Sequence, residues 1–196
     1  MPNLSQDNRR LKEIPKEAFE REKLIEMSLR CNLIDNLTCD ICKWSFYYFN
    51  PKIVNLKFLK KLDLSYNGLK NLNVLGELNS LEELILIGNF IDKVSEDILN
   101  LENLEVLNLA NNYIKEIPKE VFLLKNMKKL NFYGNLISDF PKMEEIEAKK
   151  LHFLNLSKNG IHELPNWIGD LTKLSDLLLD ENDLVTFPKT IGWFIF

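Results

Sequence analysis

Glycine and histidine are scarce: the 196 residues hold seven glycines, all isolated, and two histidines, His152 and His162. The first scarcity excludes a glycine-rich phosphate-binding loop, and the second leaves few partners for a histidine-based catalytic or metal site. Cysteine is limited to Cys31, Cys39 and Cys42, crowded near the amino end, which is a poor disulfide framework. No segment approaches the roughly 18 uncharged apolar residues that a membrane helix requires. The opening stretch "MPNLSQDNRRLKEIPKE" is polar, without the apolar run of a secretory signal. Charge is nearly balanced at a formal −4, so nothing draws the chain at long range to DNA, RNA or anionic lipid. These absences predict a reducing, intracellular setting, cytoplasmic or nuclear, with no nucleic-acid and no membrane partner.

What the chain does have is leucine and asparagine in a fixed relation. In "LEVLNLANNYIKEIP", Leu104 to Pro118, the apolar residues fit neither one helix face nor a simple strand. Aligning the chain on Asn112 explains the spacing. Segments beginning at Leu24, Leu59, Leu81, Leu104, Met127, Leu151 and Leu174 all fit L-x-x-L-x-L-x-x-N-x-L-x-x-L, with only apolar-for-apolar changes. The aligned asparagines are Asn32, Asn67, Asn89, Asn112, Asn135, Asn159 and Asn182, separated by 35, 22, 23, 23, 24 and 23 residues. Such a period identifies a stacked repeat architecture.

The pattern resembles the leucine-rich repeat family, from about Leu11 to Phe196. The proline after the last apolar position in four repeats (Pro118, Pro141, Pro165, Pro188) is similar to the 23-residue intracellular class of Ras-pathway scaffold proteins and cyclases. The shorter repeat from Leu59, without the proline, resembles that of a phosphatase-1 regulatory subunit. The resemblance implies an α/β fold: a right-handed solenoid of about seven repeats, a parallel β-sheet on its concave face, and short helical or irregular segments on the convex face. It also makes a small GTPase or phosphatase-1 a plausible partner.

Elementary physics assigns each position a task. L-x-L alternation has period two, so Leu107 and Leu109 face inward while Val106, Asn108 and Ala110 face out. Identical strands from successive coils stack, and each coil is buried only by its neighbours. The asparagine turns the chain and pairs with backbone groups removed from water; leucine there would leave them unpaired at roughly 1–3 kcal/mol. Proline presets the return segment, from which Val121, Leu124 and Met127 point back to the core.

Residues 1–23 carry a half-pattern, Leu11, Ile14 and Pro15 followed by Ala18 and Arg21, which is expected to cap the stack; the repeats occupy 24–196. The long first interval places a surplus at about 38–58, either an aromatic insertion loop or a degenerate repeat with Trp44 and Phe46 inward and Asn50 at the turn. The last residues, "IGWFIF", supply no polar closing turn. The expectation is a segment of a longer chain, or an end covered by a partner or by self-association with a second copy.

No catalytic constellation emerges, and the chain is expected to be no enzyme and to take no cofactor or metal. Cys39 and Cys42 form a C-x-x-C pair, but zinc would want four ligands and a redox site its own βαβ setting, so reduced thiols are expected. The N-x-S/T matches at Asn3, Asn36 and Asn155 are read as coincidence. Binding is expected on the concave face. Three outward columns bring Ile85, Ile87, Val106, Ala110, Tyr133 and Phe153 into one apolar patch beside Asn108, Asn131 and Asn155, with Asp180 at its carboxy side. An apolar centre with a hydrogen-bonding surround is the anatomy of an interface, and Tyr133 and Phe153 are its candidate anchors. The alternatives are a self-pairing asparagine ladder with β-branched residues that merely favour strands, and, for the whole chain, the recognition segment of a larger signalling or nucleic-acid-processing enzyme.

Overall fold

The computed structural model describes residues 2–21, 23–35, 55–72 and 75–193. Each L-x-L segment is one short strand: β1 (Asn3–Ser5), β2 (Glu26–Ser28), β3 (Lys61–Asp63), β4 (Glu83–Ile85), β5 (Val106–Asn108), β6 (Lys129–Asn131), β7 (Phe153–Asn155) and β8 (Asp176–Leu178). They form one open parallel sheet in chain order. The register sets template position on template position throughout, so Leu84 faces Leu107, Leu107 faces Leu130 and Leu130 faces Leu154. These inward leucines are buried, as are Leu86, Leu109, Phe132 and Leu156 two residues on. The core is a continuous column running the length of the stack.

The asparagines hold adjacent coils together. Asn112 Oδ1 accepts the Ile91 amide of the preceding coil at 3.1 Å. Its Nδ2 donates back to Leu86 O at 2.9 Å and to its own coil's Leu109 O at 3.0 Å. Asn32, Asn67, Asn89, Asn135, Asn159 and Asn182 each repeat this arrangement. In each, the bond accepted by Oδ1 and one of those donated by Nδ2 reach to the coil before.

The first 23 residues, read from the sequence as a half-pattern that caps the stack, contribute β1, which pairs in register with β2, and Leu4 is buried. The sheet therefore has eight strands where seven aligned segments were expected. The first coil escaped the template because Gln6 stands at a leucine position and Arg9 at the asparagine position. Asn32 accepts the amides of Arg9 and Leu11.

The residue before each ladder position is left-handed: Asn8, Cys31, Tyr66, Asn111, Lys158 and Glu181 have φ of 53–58°, and Gly88 and Gly134 have 65°. A Cβ on Gly88 would lie 2.6 Å from the Tyr66 ring, which the preceding coil lays across it. Glycine is favoured there by the left-handed backbone, which six other residues adopt at the equivalent position, and more decisively by the space that the Tyr66 ring takes.

Returns to the sheet run through short 3-10 turns at Leu75–Glu77, Glu96–Asn100, Lys119–Phe122, Asn166–Asp170 and Lys189–Trp193, with one helical turn, α1 (Lys16–Phe19), in the first coil. Pro15, Pro118, Pro165 and Pro188 stand immediately before four of them, where an amide donor would be idle. Adjacent returns pack closely. A Cβ on Gly76 would meet the Asp97 carbonyl oxygen at 2.8 Å, whereas one on Gly160 meets nothing nearer than 3.7 Å. Gly76→Val is therefore expected to cost about 1–3 kcal/mol in urea unfolding, and Gly160→Ala to stay within about 0.5 kcal/mol. Equal shifts for the two would remove close packing as the cause.

The question of loop or degenerate repeat at 38–58, with Trp44, Phe46, Asn50, Cys39 and Cys42, falls largely outside the described residues. On either side of it β2 and β3 are direct neighbours, Met27 beside Leu62.

Candidate functional site

Strands β4 to β7 bring the predicted site residues onto one face. Register places Ile85 beside Asn108, Asn108 beside Asn131 and Asn131 beside Asn155, with Val106, Lys129 and Phe153 in the parallel column. Ile85, Ile87, Val106, Tyr133 and Phe153 are half-buried rather than fully exposed. Ala110 differs: at 5% exposure it is buried and presents no side chain to a partner. Its column lies where the chain bends into the left-handed turn. Short side chains sink there (Ser65 and Ser157 are buried too), and only longer ones such as Arg30, Tyr133 and Asp180 emerge.

Asn108, Asn131 and Asn155 do not pair with each other. Each uses Oδ1 to accept the amide two residues on, at Ala110, Tyr133 and Ser157, over 3.0–3.1 Å. Asp63 does the same for Ser65. This local turn fixes the exit from each strand. It also leaves the three side-chain amide nitrogens without a protein acceptor among the described residues, so a row of donors lines the apolar centre.

The amino-terminal flank of the face satisfies its own charges. Arg30 meets Asp63 at 3.5 Å and Lys61 meets Glu83 at 2.8 Å. The Glu83 carboxylate raises the Lys61 ammonium above the ordinary lysine range, against the smaller opposing effect of partial burial. A raised folded-state pKa means this stabilisation is complete at neutral pH and is lost only in alkali, as pH climbs through that value. At the other side Lys158 Nζ lies 5.9 Å from the Tyr133 ring centroid, a cation on the ring of a candidate anchor. Asp180 is exposed, with only a 3.4 Å contact from Ser157 Oγ.

The most exposed apolar column is one the sequence reading passed over. The residue after each ladder asparagine is Leu33, Phe90, Tyr113 or Leu136 in four coils, with exposures of 53%, 53%, 49% and 53%. Phe90 and Tyr113 stack in parallel, centroids 5.9 Å apart. The template counted that position as free to vary; its apolar content in four coils was the available signal.

Among the described residues no group of three or more His, Cys, Asp or Glu side chains is placed to hold a metal ion. No helix among them is long and apolar enough to cross a membrane. Cys31 is exposed.

A single-layer parallel sheet, stacked coils and an inter-coil amide ladder define a solenoid repeat protein, a class whose sheet face forms an extended surface. Sequence comparison gives the particular kind. Residues 102–145 match the model for two-copy leucine-rich repeats, and residues 150–171 match the single leucine-rich repeat model. The ladder carries the same motif into the coils outside those matches, and the chain is a leucine-rich repeat protein. No curated protein sequence matches it. Among solved structures it is similar to an internalin from Listeria monocytogenes (23% identity, 87% of this chain and 45% of that one, TM-score 0.69). It is also similar to the plant peptide hormone receptor RGFR1 in complex with RGF2 (20% identity, 91% and 28%, TM-score 0.70). A leucine-rich repeat protein of Leptospira interrogans is a third (27% identity, 93% and 61%, TM-score 0.59). The chain thus spans less than two thirds of each.

Proposed function

We propose that this protein is a protein–protein recognition module, working as a scaffold or regulatory subunit through its concave strand face. The observation that carries this reading is the apolar centre of Ile85, Ile87, Val106, Tyr133 and Phe153 bordered by three asparagine amides with unused donors. Such a surface offers apolar area at its core and hydrogen bonds at its rim. The similarity to a receptor solved in complex with RGF2 supports the use of this fold for recognition. The repeat style makes an intracellular partner of the small GTPase or phosphatase-1 kind the first to test, in the cytoplasm or nucleus. A non-enzymatic role goes with this reading.

The test compares wild type with an Ile87→Asp/Tyr133→Ala double variant, both shown to be folded, as bait in native cell lysate and against purified small GTPases and phosphatase-1. A partner held by wild type and weakened at least tenfold by the variant is expected; tenfold corresponds to about 1.4 kcal/mol, well within what one aromatic anchor contributes. If both baits retain the same proteins equally, the concave face is not the recognition surface.

A further inference from the structure

The coil that begins at Met127 breaks the pattern of its neighbours on the return side. It is the longest of the regular coils, 24 residues from Asn135 to Asn159, and its return, 140–150, contains no 3-10 turn although the coils before and after it do. The chain there is tied down by the amides of Glu147 and Ala148, which both donate to Phe122 O at 2.9 Å. Ile146 and Ala148 are buried against the core. The missing turn leaves space that the next coil does not fill. Trp167, half-buried, edges against Phe122 and Phe140 with centroids 4.8 and 5.7 Å away, and its indole N–H donates to Pro141 O at 3.1 Å.

The result is an open groove of about 750 Å³ with an apolar floor of Phe140, Pro141, Met143 and Trp167. A second depression of about 330 Å³ adjoins it, sharing Met143, Trp167 and Asp170. Three carboxylates line the larger one, Asp139, Glu163 and Asp170, against the single ammonium of Lys142. Glu144, Glu145 and Glu147 line the smaller, against Lys149. Six acids and two lysines leave an excess of four negative charges in this one region, equal to the formal charge of the entire chain. Volume, apolar floor and a net negative rim occur together here, on the side of the solenoid opposite the strands.

We propose that this groove is a second docking surface, for an extended basic segment of a protein partner that carries an apolar side chain among arginines or lysines. The apolar residue would seat over Met143 and Trp167, and the cations would meet Asp139, Glu163 and Asp170 at the rim. Arginine suits both parts of the site, because its guanidinium binds carboxylates in a fork and stacks on indole. Complementary charge at the rim speeds encounter and selects among partners, while the apolar floor supplies the buried contact. A partner here leaves the strand face open, so the two surfaces can be occupied at once. This inference is independent of the concave-face reading, and the failure of one leaves the other standing.

The test is a fluorescence-anisotropy titration of the intact protein with a labelled octapeptide of alternating arginine and leucine. Two comparison peptides replace every arginine by glutamate or every leucine by serine. The arginine–leucine probe is expected to bind at least tenfold tighter than either. Asp170→Lys is expected to weaken it tenfold or more; the residue is exposed, so the fold should tolerate the change. A Glu144→Lys/Glu145→Lys variant, also on the exposed rim, checks the same point should Asp170→Lys fail to fold. Ile87→Asp is expected to leave this titration unchanged. Equal binding of the serine peptide would show diffuse charge attraction only and overturn the proposal. So would indifference to the rim substitutions, or loss of binding in Ile87→Asp, which would place the probe on the strand face.

Discussion

Asn112→Leu is expected to lower the stability of the solenoid by about 2–4 kcal/mol, read as a fall in the urea midpoint with an unchanged slope. The magnitude follows from what remains paired when the amide is gone. Leu86 O keeps a bond from Asn89, Leu109 O keeps one from Asn135, and Ala110 O keeps one from the Gly88 amide. The Ile91 amide keeps none: its acceptor is Asn112 Oδ1, and Ile91 is wholly buried. One orphaned buried N–H costs about 1–3 kcal/mol, and the three thinned carbonyls add a smaller share. Hydrogen exchange should single out the Ile91 amide as the site of lost protection.

Two companion variants make the result diagnostic. Asn182→Leu alters the same motif in the last coil, where the side chain is only half-buried and water can replace it, so about half the effect is expected. Arg9→Asn installs the motif in the coil of β1, where no amide among the described residues is left for it to accept, and should change stability by less than about 0.5 kcal/mol. Asn182 accepts the buried Ile161 amide of the coil before it, so the absence of any loss in Asn182→Leu would contradict the account of a ladder that grips the coil before it.

Phe122→Ala is the other large effect, about 3–5 kcal/mol. Phe122 is completely buried and is one of the two largest such side chains. It lies under the irregular return of the next coil, and its ring packs edge-wise on Trp167. No turn of that coil is available to collapse into the void, so a cavity should persist and the full penalty apply. Val121→Ala, at an equally buried neighbour, removes two methyl groups and should cost roughly 1.5–2.5 kcal/mol. Tryptophan emission adds a local readout, since Trp167 loses its packing in the first variant and keeps it in the second. Should the two variants cost the same, the Phe122 ring is not the filler of that gap.

Everything that depends on local period could be read from the residues. The inward leucines of each strand, the task of the seven asparagines and the parallel stacking follow from L-x-L alternation and a fixed repeat, because in a solenoid each coil touches only its neighbours and local pattern is nearly the whole of the fold. The strand-face columns were legible for the same reason: register forces Ile85, Asn108, Asn131 and Asn155 into line once the leucines are stacked.

What the residues left undecided depends on contacts between coils. The first coil was hidden because Gln6 and Arg9 stand at the leucine and asparagine positions of the template, and only the pairing of β1 with β2 reveals it. The burial of Ala110 depends on where the chain bends, and the left-handed turn at Tyr66 or Lys158 has no signature in side chains that seldom adopt it. The groove beside Trp167 could not be anticipated at all. It exists because one return runs without its turn while the next coil keeps to the pattern, and the space between two unlike neighbours is a property of their packing, which neither segment encodes alone.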